Sequence, residues 1–600
     1  MTGEAEDKDA AKPAAVPAAE VANPEVTAPK RPSRKRHKTG LAARLLLVVL
    51  VFGLIFGAMG LTGKPIPLPV FLVAEIEARA NRALAEALPQ ASVSIGAVEL
   101  RVDADWVPRI RLDDVRLLKP SGEALVNLPE LRVSFEPTAL LRGQVRLRRF
   151  KVTGAHLLLK RDASGAFDFD LGAVNPNGPP IRSFAELFDA VDAIFAQPGA
   201  ESLLSIEAEA LTLSYRDARS GRSWEFGDGR VQISNSGDDV EAQISASLIS
   251  GQTPARAVLT VVSEKAAKRA RILAEIEDIA AKDIAAEFAP FAWAGVIDAP
   301  ISGRIQTSLA EEGVVSLDAS LTLGAGALQP SPEAKPIVFD QASMQLVFDP
   351  AQGRVQIADL SVQSPTLRVK AQGQTYLMRA DGSRLAGALG QEVPATYLAQ
   401  LHFSQVMFDP EKLFQEPVKF SDGALDLRLK LAPFSVEIGQ LVLTEDQRRL
   451  QAKGNVSADS EGWRVAVDLA LNEVQHDRLV ALWPINLVPN TRQWVDKNVL
   501  SGALTDVRAS LRLKQGAEPQ LHLGYNFADA DVRFVPTLPP IQSGSGYANI
   551  DGPTYTMVLS KGSVTPPEGG TIDVAGSVFK IADVTQKPAV ADITLQTRSS

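Results

Sequence analysis

Two pairs of carboxylates stand two residues apart, Asp103 and Asp105 in DAD and Asp168 and Asp170 in FDFDL. Oxygen ligands at that spacing can share a divalent cation, but such an ion wants several more, and neither pair has a third ligand nearby. Alternate carboxylates on the wet face of a strand need no ion to explain them. The His residues, at 37, 156, 402, 476 and 522, are scattered singly, so a His-built metal site would have to be assembled from distant segments. His402 and His522 lie between apolar neighbours, which puts them on the polar face of a strand. QSGSG at 542–546 has Gln542 and Gly544 where a nucleophile elbow needs Gly and Ser, and it reads as a strand-joining turn. GLTGK at 60–64 is too short for a phosphate loop. With no cysteine in the chain there is no thiolate, disulfide or Cys-ligated metal. No catalytic set, metal site or cofactor is expected, and the chain is not expected to be an enzyme.

The densest polar cluster is LWPINLVPNTRQWVDKNVLSG at 482–502, which holds two Trp with Asn, Arg, Asp and Lys. Its pattern predicts a helix with Asn490 as N-cap, Gln493 closing a capping box, and Gly502 just past the end. Trp494 and Val495 would then pack on the neighbouring structure while Arg492 and Lys497 face water. A shorter relative precedes it. DIAAEFAPF from Asp283 resembles DRLVALWPI from Asp477, and Ile301, Ser302 and Gly303 reappear as Leu500, Ser501 and Gly502. Both copies follow one strand-like run and precede another, so the polar stretch reads as a helical connector within a repeat.

The elements around these connectors alternate. In WRVAVDLAL, Trp463, Val465, Val467, Leu469 and Leu471 point one way; in LDLRLKL, Leu425, Leu427, Leu429 and Leu431 oppose Asp426, Arg428 and Lys430. These are half-buried antiparallel strands with one wet face. A kinked version, apolar-x-apolar-x-x-apolar-x-apolar, recurs at Val93/Ile95/Val98/Leu100, Ile110/Leu112/Val115/Leu117 and Val145/Leu147/Phe150/Val152. It returns at Val355/Ile357/Leu360/Val362 and Val436/Ile438/Leu441/Leu443. A three-residue step inside a two-residue alternation requires a bulge if the apolar face is to stay on one side, and repeated kinks predict a sheet that curls.

The N-terminus supplies a location. Residues 1–29 are rich in Ala, Pro and acidic residues and read as a disordered tail. The basic run KRPSRKRHK precedes LAARLLLVVLVFGLIFGAMGL at 41–61, where Arg44 is the one charge. At ~1.5 Å per residue this stretch matches a bilayer core. Basic residues before it predict a cytoplasmic N-terminus and a single pass, with the bulk on the far side of the membrane. A cleaved signal peptide is the competing reading, against which the long n-region and apolar core argue. A short amphipathic helix follows at 71–88. The net charge of −9 gives no reason to expect nucleic acid.

These features together resemble one family. SVSIGAVELRVDADWVPRIRLDDVRLLKPSGEALVNLPELRVSF and LLRGQVRLRRFKVTGAHLLLKRDASGAFDF resemble the N-terminal module of AsmA-like envelope proteins. LWPINLVPNTRQWVDKNVLSGAL with YNFADADVRFVPTLPPIQSGSGYANIDG is similar to the central region of the YhdP branch. The resemblance implies a mainly β fold: an elongated, curled antiparallel sheet forming a groove from repeated modules, with short connector helices and one N-terminal transmembrane helix. It implies an inner-membrane anchor in a Gram-negative envelope, a periplasmic bulk, and phospholipid transport towards the outer membrane. Members of this branch are generally longer than this chain, so a fragment or a shortened member is expected.

The expected organisation is a tail over 1–40, an anchor over 41–63, an AsmA-like β-module over 64–262, a first central repeat over 263–458 and a second over 459–600. Leu425, Leu427, Leu429, Val465, Val467, Leu469 and Leu511 are the expected lipid-facing residues, and Trp483, Trp494 and Val495 the connector residues that could gate them. Expected partners are phospholipid acyl chains, the inner membrane and other envelope proteins, with no nucleic acid. The alternative is a non-conducting envelope scaffold or outer-membrane assembly factor that binds proteins along sheet edges.

Overall fold

The computed structural model describes positions 47, 50, 51, 54 and 57 and most of residues 64–599, with 169–201 the longest internal stretch outside it. Contacts divide the chain into two units, Met1–Thr62 and Gly63–Ser600. In the first, the five described positions are helical and apolar or glycine. The rest of the expected membrane span lies outside the described residues. Among those described, no helix is long and apolar enough to cross a membrane.

The second unit is mainly β, with strand making up 66% of the described residues and helix 11%, so helices can cover only parts of the sheet. Among the described residues, alternating sequence becomes strand, and 31 strands join in one sheet that does not close into a barrel. Nearly every strand pairs antiparallel with the next in sequence. The exception is Leu147–Thr153 and His156–Arg161, which both run parallel to Ser205–Asp217. A small three-stranded sheet, Ile297–Asp298, Gly326–Leu328 and Ile337–Phe339, stands apart. The expected module boundaries at 262/263 and 458/459 fall within strands Ala255–Glu264 and Arg448–Asp459, so the sheet passes through both without a break.

Three of the five kinked sequences carry a register shift at the three-residue step, and in the other two, on the paired strands Ser92–Val102 and Pro108–Leu118, the steps face each other without one. Ile357 pairs with Gly373 and Leu360 with Ala371, while Ile438 pairs with Gly454 and Leu441 with Ala452. Two residues therefore oppose one, and the apolar positions on either side keep to one face. In Pro108–Leu118, between the pairs Ile95–Val115 and Ala97–Asp113, Asp114 takes a left-handed backbone at φ 52° and Gly96 lies against it. Arg148 is the extra residue between Leu147 and Arg149. Asp228, Asp278, Asp506 and Asp529 take the same left-handed backbone, which Asp tolerates better than a bulky or β-branched residue would. QSGSG belongs to this set: it lies inside strand Ile541–Asp551, with Ser543 at φ 49°, and is not a turn between strands.

Helices accompany the sheet, among them α1 (Val70–Ala87), α2 (Ala281–Glu287), α3 (His476–Leu482) and α4 (Pro489–Asn498). Helix α1 packs Val73 and Ile76 on Ile95, Val98, Val115 and Leu131. It also protects the first long strand's outer edge. The Asn81 amide donates to the Val93 carbonyl (2.9 Å) and accepts from its N–H (2.6 Å), and Glu77 accepts from the Ile95 N–H (3.2 Å). Backbone groups that would invite another strand are thus occupied by side chains.

Candidate functional site

Strand register decides whether the expected apolar positions form one surface. In Asp422–Leu431 the alternation is complete: Leu425, Leu427, Leu429 and Leu431 are half-buried while Asp426, Arg428 and Lys430 are exposed. Leu425 pairs with Leu401 on one side and Leu441 on the other. Leu441 pairs with Ala452, Ala452 with Leu469, Leu469 with Ala509, and Ala509 with Leu523. Traced pair by pair, this row runs from Val98 to Ile581 across the whole meander, and Gly373 is its single position without an apolar side chain.

The other sequence-derived positions fall on the two adjacent rows. Leu427 pairs with Ile438, Ile438 with Gly454, Gly454 with Val467 and Val467 with Leu511. Leu429 pairs with Val436, Val436 with Val456, and Val456 with Val465. All seven residues thus lie on three neighbouring rows of one face. None is fully buried, so the strands themselves do not cover them. The opposite face is polar and internally paired: Arg512 holds Asp468 at 2.8 Å, Arg428 meets Glu437 at 3.1 Å and Gln374 meets Gln400 at 3.0 Å. His402 and His522 lie on that side, exposed, beside Asp422 (3.2 Å) and Asp551 (2.7 Å).

The connector places its residues at the end of this face. Pro489 is the first residue of α4, where its fixed φ suits the helix and its missing N–H costs nothing; Asn490 is therefore inside the helix and not its cap. Gly502 sits within strand Val499–Lys514, 3.0 Å from Ala530 by the Cβ it lacks, and does not terminate the helix. Arg492 is turned inward, donating to the Val480 carbonyl (3.0 Å) and to Gln415 (2.8 Å), so it ties α4 to α3 and does not face water. Lys497 is exposed and Val495 half-buried. Trp494 remains 38% exposed and meets Phe534 edge-on at 5.9 Å. Trp483 lies outside the described residues.

Sequence reasoning missed what lies beside Trp494. Phe534 packs on Phe579 at 5.3 Å, Phe579 on Tyr555 at 6.0 Å, and the Tyr555 hydroxyl meets that of Tyr525 at 3.1 Å. Burial pushes both phenols above their ordinary pKa, so they stay neutral on the apolar face. Their spacing in sequence, from 494 to 579, hides the chain of rings; only the register brings it together.

Asp103, Asp105 and Asp170 lie outside the described residues. Among those described, no group of His, Asp and Glu has the number and closeness to hold a metal ion. Comparison with protein-family models, with curated proteins and with solved structures finds no match for this chain.

Proposed function

We propose that the chain is anchored in the inner membrane by residues 41–61, and that its apolar face is a groove along which phospholipid acyl chains pass between the inner and outer membranes. One observation carries the reading: the apolar row continues strand after strand from Val98 to Ile581, with no charged residue in it. Each methylene moved from water onto such a surface gains ~0.8 kcal/mol, so a lipid tail needs continuity more than it needs any one binding residue. The line of bulges supports a curled sheet, and a curled sheet with its inner side unfilled encloses a channel. The resemblance to AsmA-like proteins of the YhdP branch points the same way. In this reading Trp494 and Val495 form a gate where α4 meets the groove.

Photo-crosslinking tests it. A photoreactive amino acid at Val467 or Leu511 should capture phospholipid, and one at Asp426 on the opposite face should not. Folded protein that yields no lipid adduct from either inward position would sink the proposal.

A second reading, a scaffold that recruits other envelope proteins, draws on the exposed edge at Ala591–Thr594, flanked by Val590 at 67% and Leu595 at 71% exposure. Such an edge can accept a partner's strand. Leu469→Asp with Leu511→Asp separates the two: if this folded variant still maintains envelope lipid balance, the groove is irrelevant and the scaffold reading is preferred.

A further inference from the structure

The end of the sheet where the chain enters differs in charge from the protein as a whole. Ile66 pairs with Leu100 and Pro67 with Glu99, which brings Lys64 to the ends of strands Ser92–Val102 and Pro108–Leu118. Arg101 pairs there with Arg109, Arg109 with Ser134, and Ser134 with Arg149. Arg142 and Arg146 lie in the segment leading to that last strand, and Arg148, within the strand, is 3.8 Å from Glu136. Seven basic residues therefore gather at this end, beside Glu99 and Glu136, in a chain of net charge −9. Lys64, Arg101, Arg142 and Arg149 are exposed.

Exposed apolar side chains lie at the same end of the sheet. Helix α1 begins here, with the Leu68 N–H bonded to the Val98 carbonyl at 2.8 Å. Its Val73 and Ile76 are committed to the sheet, but Val70 is 85% and Phe71 71% exposed, and Ile66 is also exposed. Scattered exposed apolar residues need no explanation. Adjacent ones beside a basic cluster, at the start of an otherwise well-packed helix, have the make-up of a membrane-surface contact, where rings enter the headgroup layer and arginines meet phosphates. At most about 18 Å of extended chain separates residue 61 from Ile66, so an anchor at 41–61 keeps this end within reach of a bilayer.

We infer that this end of the sheet docks on an anionic bilayer surface, with Val70 and Phe71 in the headgroup layer and Lys64, Arg101, Arg142 and Arg149 against lipid phosphates. The inference rests on the anchored, lipid-carrying reading and deepens it. A single anchor fixes distance but not orientation, whereas docking would hold the end of the apolar face, where Leu100 pairs with Ile110, against the membrane, so that a tail could enter without crossing water.

The absence of cysteine allows single-site labelling of the full chain. Nitroxides at Phe71→Cys, Arg79→Cys and Leu50→Cys would be read in nanodiscs of phosphatidylcholine, with and without phosphatidylglycerol, by their accessibility to oxygen and to a water-soluble nickel chelate. Docking predicts that the label at 71 is lipid-exposed in the anionic discs while the label at 79 on the same helix is aqueous. Arg142→Glu with Arg149→Glu, both at exposed sites and checked for an unchanged melt, should return the label at 71 to water. Losing each basic residue should cost about fivefold in docked population. An aqueous label at 71 in both discs overturns the inference, and so does lipid contact at 71 that ignores anionic lipid and charge reversal. A label at 50 in lipid with one at 71 in water sinks the docking alone; an aqueous label at 50 sinks the anchor, and the docking with it.

Discussion

The two connectors begin alike and end differently. Both leave a long strand through a short helix with an acidic residue in its first turn, Asp283 or Asp477, and both return to a strand that pairs antiparallel with the one they left. The first then folds down on the apolar face: Ala281, Ile284, Phe291 and Ala294 are buried against Ile301, Leu321, Leu323 and Leu346. Arg222 pins it from the neighbouring hairpin through Asp283. The second is longer and more polar, with Val480 buried but Trp494 over a third exposed. The same sheet thus carries one stretch buried under its own chain and another that the described part of its connector covers less closely. A residue-level apolar pattern does not say which; the connector above it does.

Removing the packing anchor of each connector should separate them most. Phe291, 4% exposed, should cost about 3–5 kcal/mol as Phe291→Ala, whereas Trp494→Ala should cost under about 1 kcal/mol. Urea unfolding of the two variants decides it, and equal losses would mean that the second connector is as much a core element as the first.

The sheets beneath should respond alike. Gly303 and Gly454, at φ 152° and 154°, both press backbone to backbone, and a Cβ would overlap the carbonyl oxygen of Ser320 or of Ala466. Gly303→Ala and Gly454→Ala should each cost about 2 kcal/mol or more in the same assay. A tolerated change at either would show that the close approach there relaxes cheaply.

Deleting 490–497 should change the amount of phospholipid that copurifies, measured by mass spectrometry, with little loss in the melt. Unchanged lipid would refute a gate at the second connector.

The smallest effect concerns acid. Asp217 belongs to the hairpin that pins the first connector. Burial raises its pKa, but the Ser220 hydroxyl (2.8 Å) and the N–H groups of Arg219 (3.0 Å) and Ser220 (3.3 Å) more than offset this and hold it below the ordinary carboxylate value. A depressed folded-state pKa stabilises above the unfolded value, and that contribution is lost as pH falls through the folded one. Asp217→Asn should therefore cost about 1 kcal/mol at neutral pH, and the gap from the parent should close below about pH 4 in urea titrations.

Strand and kink were both readable in the sequence, because alternation and its three-residue interruption are local. Ile438 and Leu441 need a kink between them whatever they pair with. Register was not readable: that Leu425 meets Leu441, and Leu469 meets Ala509, depends on how many residues each turn and bulge consumes. The misreadings share a cause. Gly and Ser in QSGSG mark a turn or a bulge equally well, and it is the approach of Ala530, whose carbonyl lies 3.0 Å from the Cβ that Gly544 lacks, that decides for the bulge. Pro489 carried a usable signal, since proline favours the first helical position over the one before the cap. Nothing local announced that Arg492 would turn inward to the Val480 carbonyl.

The strand order also has a kinetic meaning. In a meander each strand finds its partner a few residues back, so the sheet can zip from hairpin to hairpin with little loop entropy to overcome at each step. One place departs from that economy. Leu147–Thr153 has Ala124–Phe135 behind it and His156–Arg161 the short Phe167–Asp168, but both gain a neighbour on their other side only when Ser205–Asp217 has been made and carried past them in parallel. A chain emerging from its N-terminus would pause there with an open edge, and everything beyond residue 217 could then be laid down in order.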